Sequence, residues 1–183
     1  MENLFSPTYA EARKRFLAAA GASLAGSYPH PLKGPDGGDL ATDIARLGPT
    51  GAGRVLVVES GTHGAEGFCG SAIQLALFKS PPALAPDTAI LLVHAINPHG
   101  FAWIRRVTED NVDLNRNFVD FSKPLPKNVD YEALQDHVNP KEWTPEALAK
   151  ADRAIAEYYK MPNTDFLPRA VHGGQYVNDK GTY

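Results

Sequence analysis

Two short apolar runs constrain the fold of this 183-residue chain more than any other feature. Val55-Leu56-Val57-Val58 and Ala89-Ile90-Leu91-Leu92-Val93 carry no charge, the pattern of strands buried on both faces. Between them, residues 65–79 are rich in helix formers. Phe68, Ala72, Leu75 and Phe78 are spaced to line one helix face before Pro81-Pro82 stops it. Strand, helix and strand in that order predict a βαβ unit with a right-handed parallel crossover, and so an α/β sheet. Neither run approaches the roughly 20 apolar residues of a membrane helix, so no membrane partner is expected.

The flanking sequence is read in the same terms. Thr8 and Glu11 have capping-box spacing, and Tyr9, Ala12, Phe16 and Ala20 recur at helical spacing, which predicts a helix over about residues 7–20. Residues 26–38 hold three prolines and four glycines and read as a loop. Residues 40–47 fit neither period well and are taken as a strand. Beyond residue 118 the chain is proline-rich, with a short helix around residues 131–137. Thr144-Pro145-Glu146 then opens a helix to about Lys160, and Gly173-Gly174 and Gly181 close the chain in loops. No repeat or shift in composition divides the sequence, so residues 1–183 are expected to form one α/β domain.

Composition excludes some functions. With 18 basic and 21 acidic residues the net charge is −3, which argues against a nucleic-acid-coating or polybasic membrane-surface protein. Cys69 is the single cysteine, so no internal disulfide can form, and the first 20 residues are broken by charge rather than built as a secretory signal. A cytoplasmic location is expected. Two glycine loops fail as phosphate sites. Gly48 to Gly53 lies before its strand and lacks the Lys-Ser/Thr pair, and Gly61, Gly64 and Gly67 have the wrong spacing for a dinucleotide fingerprint. Cys69, Trp103 and Trp143 are read as packing residues.

His63 and Glu66 stand three residues apart just past the first strand, where ligand crevices form in open α/β sheets. An imidazole and a carboxylate are both zinc donors, but a catalytic site takes three protein ligands, and the spacing alone fits a surface pair equally well. After the second strand come Asn97-Pro98-His99-Gly100 and then Arg105, Arg106 and Arg116 among Glu109, Asp110 and Asp113. Guanidinium forks bind carboxylates with paired hydrogen bonds. The plainer reading is that these arginines pair with the neighbouring acids in a solvated loop.

Taken together, His63-x-x-Glu66, Asn97-Pro98-His99-Gly100 and Asp113-Leu114-Asn115-Arg116-Asn117-Phe118 resemble the zinc carboxypeptidase family in order and approximate spacing, over residues 54–118. The sequence outside that window is similar to an uncharacterised bacterial branch of the same family. The resemblance implies a mixed, largely parallel sheet flanked by helices, incomplete at its C-terminal side, with zinc as cofactor. It implies that His63 and Glu66 are zinc ligands, that Asn115 and Arg116 hold a substrate carboxylate, and that Arg106 polarises the scissile carbonyl, with Arg105 as its neighbour in reserve. The family's third ligand, a histidine in an apolar-Asp-x-His context, has no match here, nor do its general-base glutamate and covering tyrosine. Of the remaining histidines His172 is the least unsuitable; His30, His94, His99 and His137 sit in poorer contexts. The expectation is therefore the N-terminal part of a longer catalytic domain, binding zinc weakly and inactive as this chain alone.

Three functions remain open at this point. One is a metallocarboxypeptidase-like hydrolase, cleaving an amide beside a free carboxylate. The second is a deacylase of N-acyl amino acids on a related fold. The third is a non-catalytic carboxylate-binding module without a complete metal site. The partner in each is a peptide or N-acyl amino acid, not a nucleic acid, and an exposed sheet edge leaves room for a homo-oligomer.

Overall fold

The first helix, α1 (Tyr9–Ala20), starts where the sequence places its cap: the Thr8 side-chain oxygen accepts the Glu11 N–H at 3.2 Å. Its buried face is Tyr9, Ala12, Phe16 and Ala20, the stripe the spacing predicts. The structure, a computed structural model, describes residues 3–160, 166–178 and 181. The chain forms two compact units, residues 1–109 and residues 110–183.

In the first unit, β1 (Leu24–Lys33), β2 (Asp39–Leu47), β3 (Arg54–Glu59) and β4 (Thr88–His94) make one open sheet in the order β1-β2-β4-β3. β3 and β4 are parallel and are joined through α2 (Gly67–Lys79), the βαβ unit expected from the two apolar runs. The fold is mixed α/β, with the other two pairings antiparallel. The antiparallel share comes from a hairpin that the loop reading of residues 26–38 did not foresee. Pro29 and Pro31 are tolerated because β1 is a sheet edge, where a missing N–H can face away from the partner strand. The register against β2 shifts on either side of the paired stretch, between Leu24 and Gly26 and between Pro29 and Lys33.

β3 corrects a second expectation. It is the other edge of the sheet, and Val55, Leu56 and Val57 are 45%, 58% and 49% exposed. The strand buried as expected is β4, whose Ala89, Ile90 and Leu92 are all buried. Both runs have interior composition, and pairing order alone separates them.

The core lies between the sheet and helices α1 and α2. Phe16 and Ala20 pack with Ala45, Ile90 and Leu92, with Val58, Leu77 and Phe78 around them, and the Phe16 and Phe78 rings meet edge to face at 5.4 Å. Burial of a side chain such as Phe16 contributes about 2–3 kcal/mol. A second cluster of Tyr9, Ala12, Leu40, Ala95 and Phe101 joins α1 to the short helix α3 (Pro98–Ala102) at the strand ends. One charged pair penetrates this core. Asp43 is fully buried and takes a two-pronged bond from Arg13, at 2.7 Å from Nε and 3.2 Å from Nη2. That bond raises the Arg13 pKa above its usual range.

The second unit contains α4 (Val129–Val138), α5 (Pro145–Tyr159) and α6 (Phe166–His172). Asn128 and Thr144 cap α4 and α5 through side-chain oxygens. The Asn128 amide also donates to Ala170 O and Gly174 O, tying the start of α4 to the end of α6. Cys69, Trp103 and Trp143 do not serve as core packing: Cys69 is exposed, and the two tryptophans are 48% and 80% exposed. No described helix is long and apolar enough to cross a membrane.

Candidate functional site

Because β3 and β4 are parallel, their carboxyl ends finish side by side, and the chain beyond them stays paired. Ser60 N–H donates to Val93 O at 3.0 Å, Ile96 N–H to Ser60 O at 2.9 Å, and Asn97 N–H to Gly61 O at 3.2 Å. From α2 the buried Gln74 binds both strand ends, its amide donating to Val58 O and Val93 O at 3.0 Å while its oxygen accepts from Ser60 Oγ at 3.1 Å. The turns bearing His63 and Asn97 thus leave one end of the sheet together, the position where open α/β sheets place ligands.

Glycines let the turns touch. A Cβ on Gly64 would lie 1.9 Å from the Gly100 carbonyl carbon, so the turn after β3 rests directly on the backbone of α3. Asn97 caps α3, accepting the Gly100 N–H at 2.7 Å, and Pro98 occupies its first turn. The Asn-Pro-His-Gly motif is therefore a structural seat for the His63 turn.

On that seat His63 Nδ1 stands 3.2 Å from both carboxylate oxygens of Glu66. The His63 side chain is 10% exposed and that of Glu66 70%, so the pair has a buried and an open member. Two donors on one tetrahedral zinc, each about 2.0–2.1 Å from it, stand about 3.3 Å apart. The observed separation suits a direct hydrogen bond and a shared cation equally. Among the described residues no group of three or more His, Cys, Asp or Glu is placed to hold a metal ion.

The arginine segment is stitched to the same two turns. Gly64 N–H donates to Arg105 O at 3.0 Å, and Arg105 N–H donates to Gly100 O at 2.9 Å. Ile104, with φ of +52°, turns the chain out of α3 into this bridge, an uncommon conformation for a β-branched residue. Arg105 is half-buried and Arg106 exposed. The structure thus brings the segment carrying Arg106 against the turn carrying His63 and Glu66. Glu109, one of the acids beside the arginines in sequence, lies 2.8 Å from His30 Nε2.

Asn115 and Arg116 belong to the second unit. There Asp113 organises their turn: its Oδ1 accepts the Asn115 N–H at 2.9 Å, and its carbonyl accepts from Arg116 N at 2.9 Å and Asn117 N at 3.0 Å. Asp113 is buried while Asn115 and Arg116 are exposed. Asn117 is fixed by the Tyr176 hydroxyl, which donates to its Oδ1 at 2.6 Å. Sequence reasoning gave binding roles to Asn115 and Arg116 and read Asp113 as an acid beside the arginines, missing the Asx turn through which it holds the segment.

The other histidines are differently employed. His94 is fully buried on Ser71 Oγ at 3.0 Å, and burial pushes its pKa down to about 4. His99 lies between the rings of His30 and Trp103, its centroid 5.9 Å from each. His137 and His172 are in the second unit, His172 exposed at the end of α6. Gln74 was also missed from the sequence; its one signal is an amide inside an otherwise apolar helix face. Residues 5–183 match the model of a family described as "Protein of unknown function (DUF2817)", and no curated protein matches the chain.

Proposed function

We propose, for a chain that belongs to the DUF2817 family, a zinc-dependent hydrolase related to the metallocarboxypeptidases that cleaves an amide beside a free carboxylate. The observation that carries this reading is the convergence of His63 Nδ1 and both Glu66 oxygens at the carboxyl end of β3, with the Arg105-Arg106 segment bonded to the same turn. His63 and Glu66 would hold the metal, whose bound state supplies an acidified water and a Lewis acid. Arg106 would stabilise charge gathering on the carbonyl oxygen, while Asn115 and Arg116 would take the substrate carboxylate and so restrict cleavage to a chain end or an N-acyl amino acid. A cytoplasmic site of action goes with this reading, in keeping with a single cysteine.

Zinc titration of the purified protein, followed by calorimetry, tests it. One equivalent is expected to bind, with His63→Ala and Glu66→Ala each weakening affinity at least about tenfold. Binding at full strength to both variants would remove the two residues from any metal site. A second reading rests on the lack of a gathered third ligand among the described residues. It is a carboxylate-binding module, and it predicts Arg116-dependent binding of N-acetyl amino acids that adding or chelating zinc does not change.

A further inference from the structure

Alternation along the strands leaves a second sheet face that neither apolar cluster uses. Ala45, Ile90 and Leu92 belong to the cluster under α1 and α2, and Val58 packs against it. Their chain neighbours Ile44, Leu91, Val93 and Val57 therefore point the other way, and none of the four is a member of either cluster. Val57 is exposed and the other three are half-buried.

The register turns these positions into a grid. Ile44 pairs with Val93 and Val93 with Glu59; two residues along, Arg46 pairs with Leu91 and Leu91 with Val57. β4 thus supplies an apolar middle column, Ile44 and Val57 fill two opposite corners, and Arg46 and Glu59 fill the other two. Strand spacing and rise put the two charged corners about 12 Å apart at their Cα atoms. Within one chain Arg46 Nη1 turns to Pro49 O, at 3.4 Å, rather than to Glu59.

A block with opposite charges at opposite corners is complementary to itself. Consider a two-fold axis in the plane of contact, at right angles to the Arg46–Glu59 diagonal. It lays the Arg46 of each copy over the Glu59 of the other, twice per dimer, and brings Leu91 and Val93 together at the centre. The strands of the two copies then cross steeply, as in orthogonally packed sheets. A basic or an acidic partner would satisfy one corner and be repelled by the other, and an uncharged one would leave both unpaired. The occupant that matches this pattern is a second copy of the chain.

We propose that the face formed by Ile44, Arg46, Val57, Glu59, Leu91 and Val93 is a homodimer interface, closed by two symmetric Arg46–Glu59 ion pairs around an apolar centre. The contact uses the face of the sheet rather than its free edges, and it is independent of zinc and of the hydrolase reading.

Sedimentation velocity of the full chain over about 1–300 µM tests the proposal. The wild type should pass from monomer to dimer, and the methyl resonances of Val57, Leu91 and Val93 should shift along the same concentration series. Arg46→Glu and Glu59→Arg each set like charges together twice, so each should raise the dissociation constant at least about tenfold. The double variant Arg46→Glu/Glu59→Arg exchanges the corners and should dimerise within about threefold of the wild type. An equimolar mixture of the two single variants should form a heterodimer, because a copy with two acidic corners then meets one with two basic corners. Near-UV dichroism shows whether each variant is folded, and the wild-type series decides the matter even where one is not. A wild type that stays monomeric throughout, a dimer indifferent to the charge reversals in folded variants, or concentration-dependent shifts confined to other residues overturns the proposal.

Discussion

His94 shows how one side chain can set the acid stability of a core. Its ring lies 4.6 Å from Phe16, near Tyr9 and Phe101, with Nε2 on Ser71 and Nδ1 lacking a partner among the described residues. Burial is the largest cause of its lowered pKa, the Asp43 carboxylate opposes the shift, and Arg13 adds to it. Below the ordinary histidine pKa of about 6.5 the unfolded chain takes up a proton that the folded ring refuses. Stability is therefore complete above pH 6.5 and is lost as pH falls to about 4, by about 3 kcal/mol from this residue. Denaturant unfolding of His94→Gln across that window should show a shallower fall than the wild type by about that amount. An unchanged slope would place the acid sensitivity elsewhere. The sequence marks His94 as a strand residue, but its burial depends on α1 and α2 closing over β4, which no local pattern records.

At the scale of elements, the turn after β3 is decided by backbone contact with α3. Substituting Gly64→Ala puts a methyl into the Gly100 carbonyl and must separate the two turns, costing about 3 kcal/mol and disturbing the His63–Glu66 pair. Gly51→Ala is the control: nothing lies within 4 Å of its added Cβ, and a gain of about 0.5 kcal/mol is expected from the unfolded state. Thermal unfolding of the two variants checks the contrast, and similar stabilities would refute the contact. Helices α1, α2, α4 and α5 were legible because their signals are local, and Thr8 and Thr144 cap as side chains of their type do; α3 and α6 were not foreseen. The strands were half legible. β3 and β4 share one composition, yet β4 has neighbours on both sides and β3 on one. The hairpin strand β1 was hidden by its prolines, which forbid an interior strand but allow an edge.

At the scale of the whole molecule, both apolar clusters of the first unit draw every member from residues 1–109. A chain of residues 1–109 alone should therefore unfold cooperatively in urea and keep near-UV dichroism from its buried aromatics. A non-cooperative transition would show that the first core depends on the second unit. The sequence by itself determined the βαβ unit, the main helices and the residue types at the strand ends, because these follow from periodicity, caps and charge within a few residues. Tertiary structure alone decided which strand became an edge, that Glu109 binds His30, and that Gln74 and Asp113 hold the turns. Each of those outcomes depends on a partner distant in the chain or on a turn's closure, and hydrogen bonds are assigned by proximity in space rather than by order along the backbone.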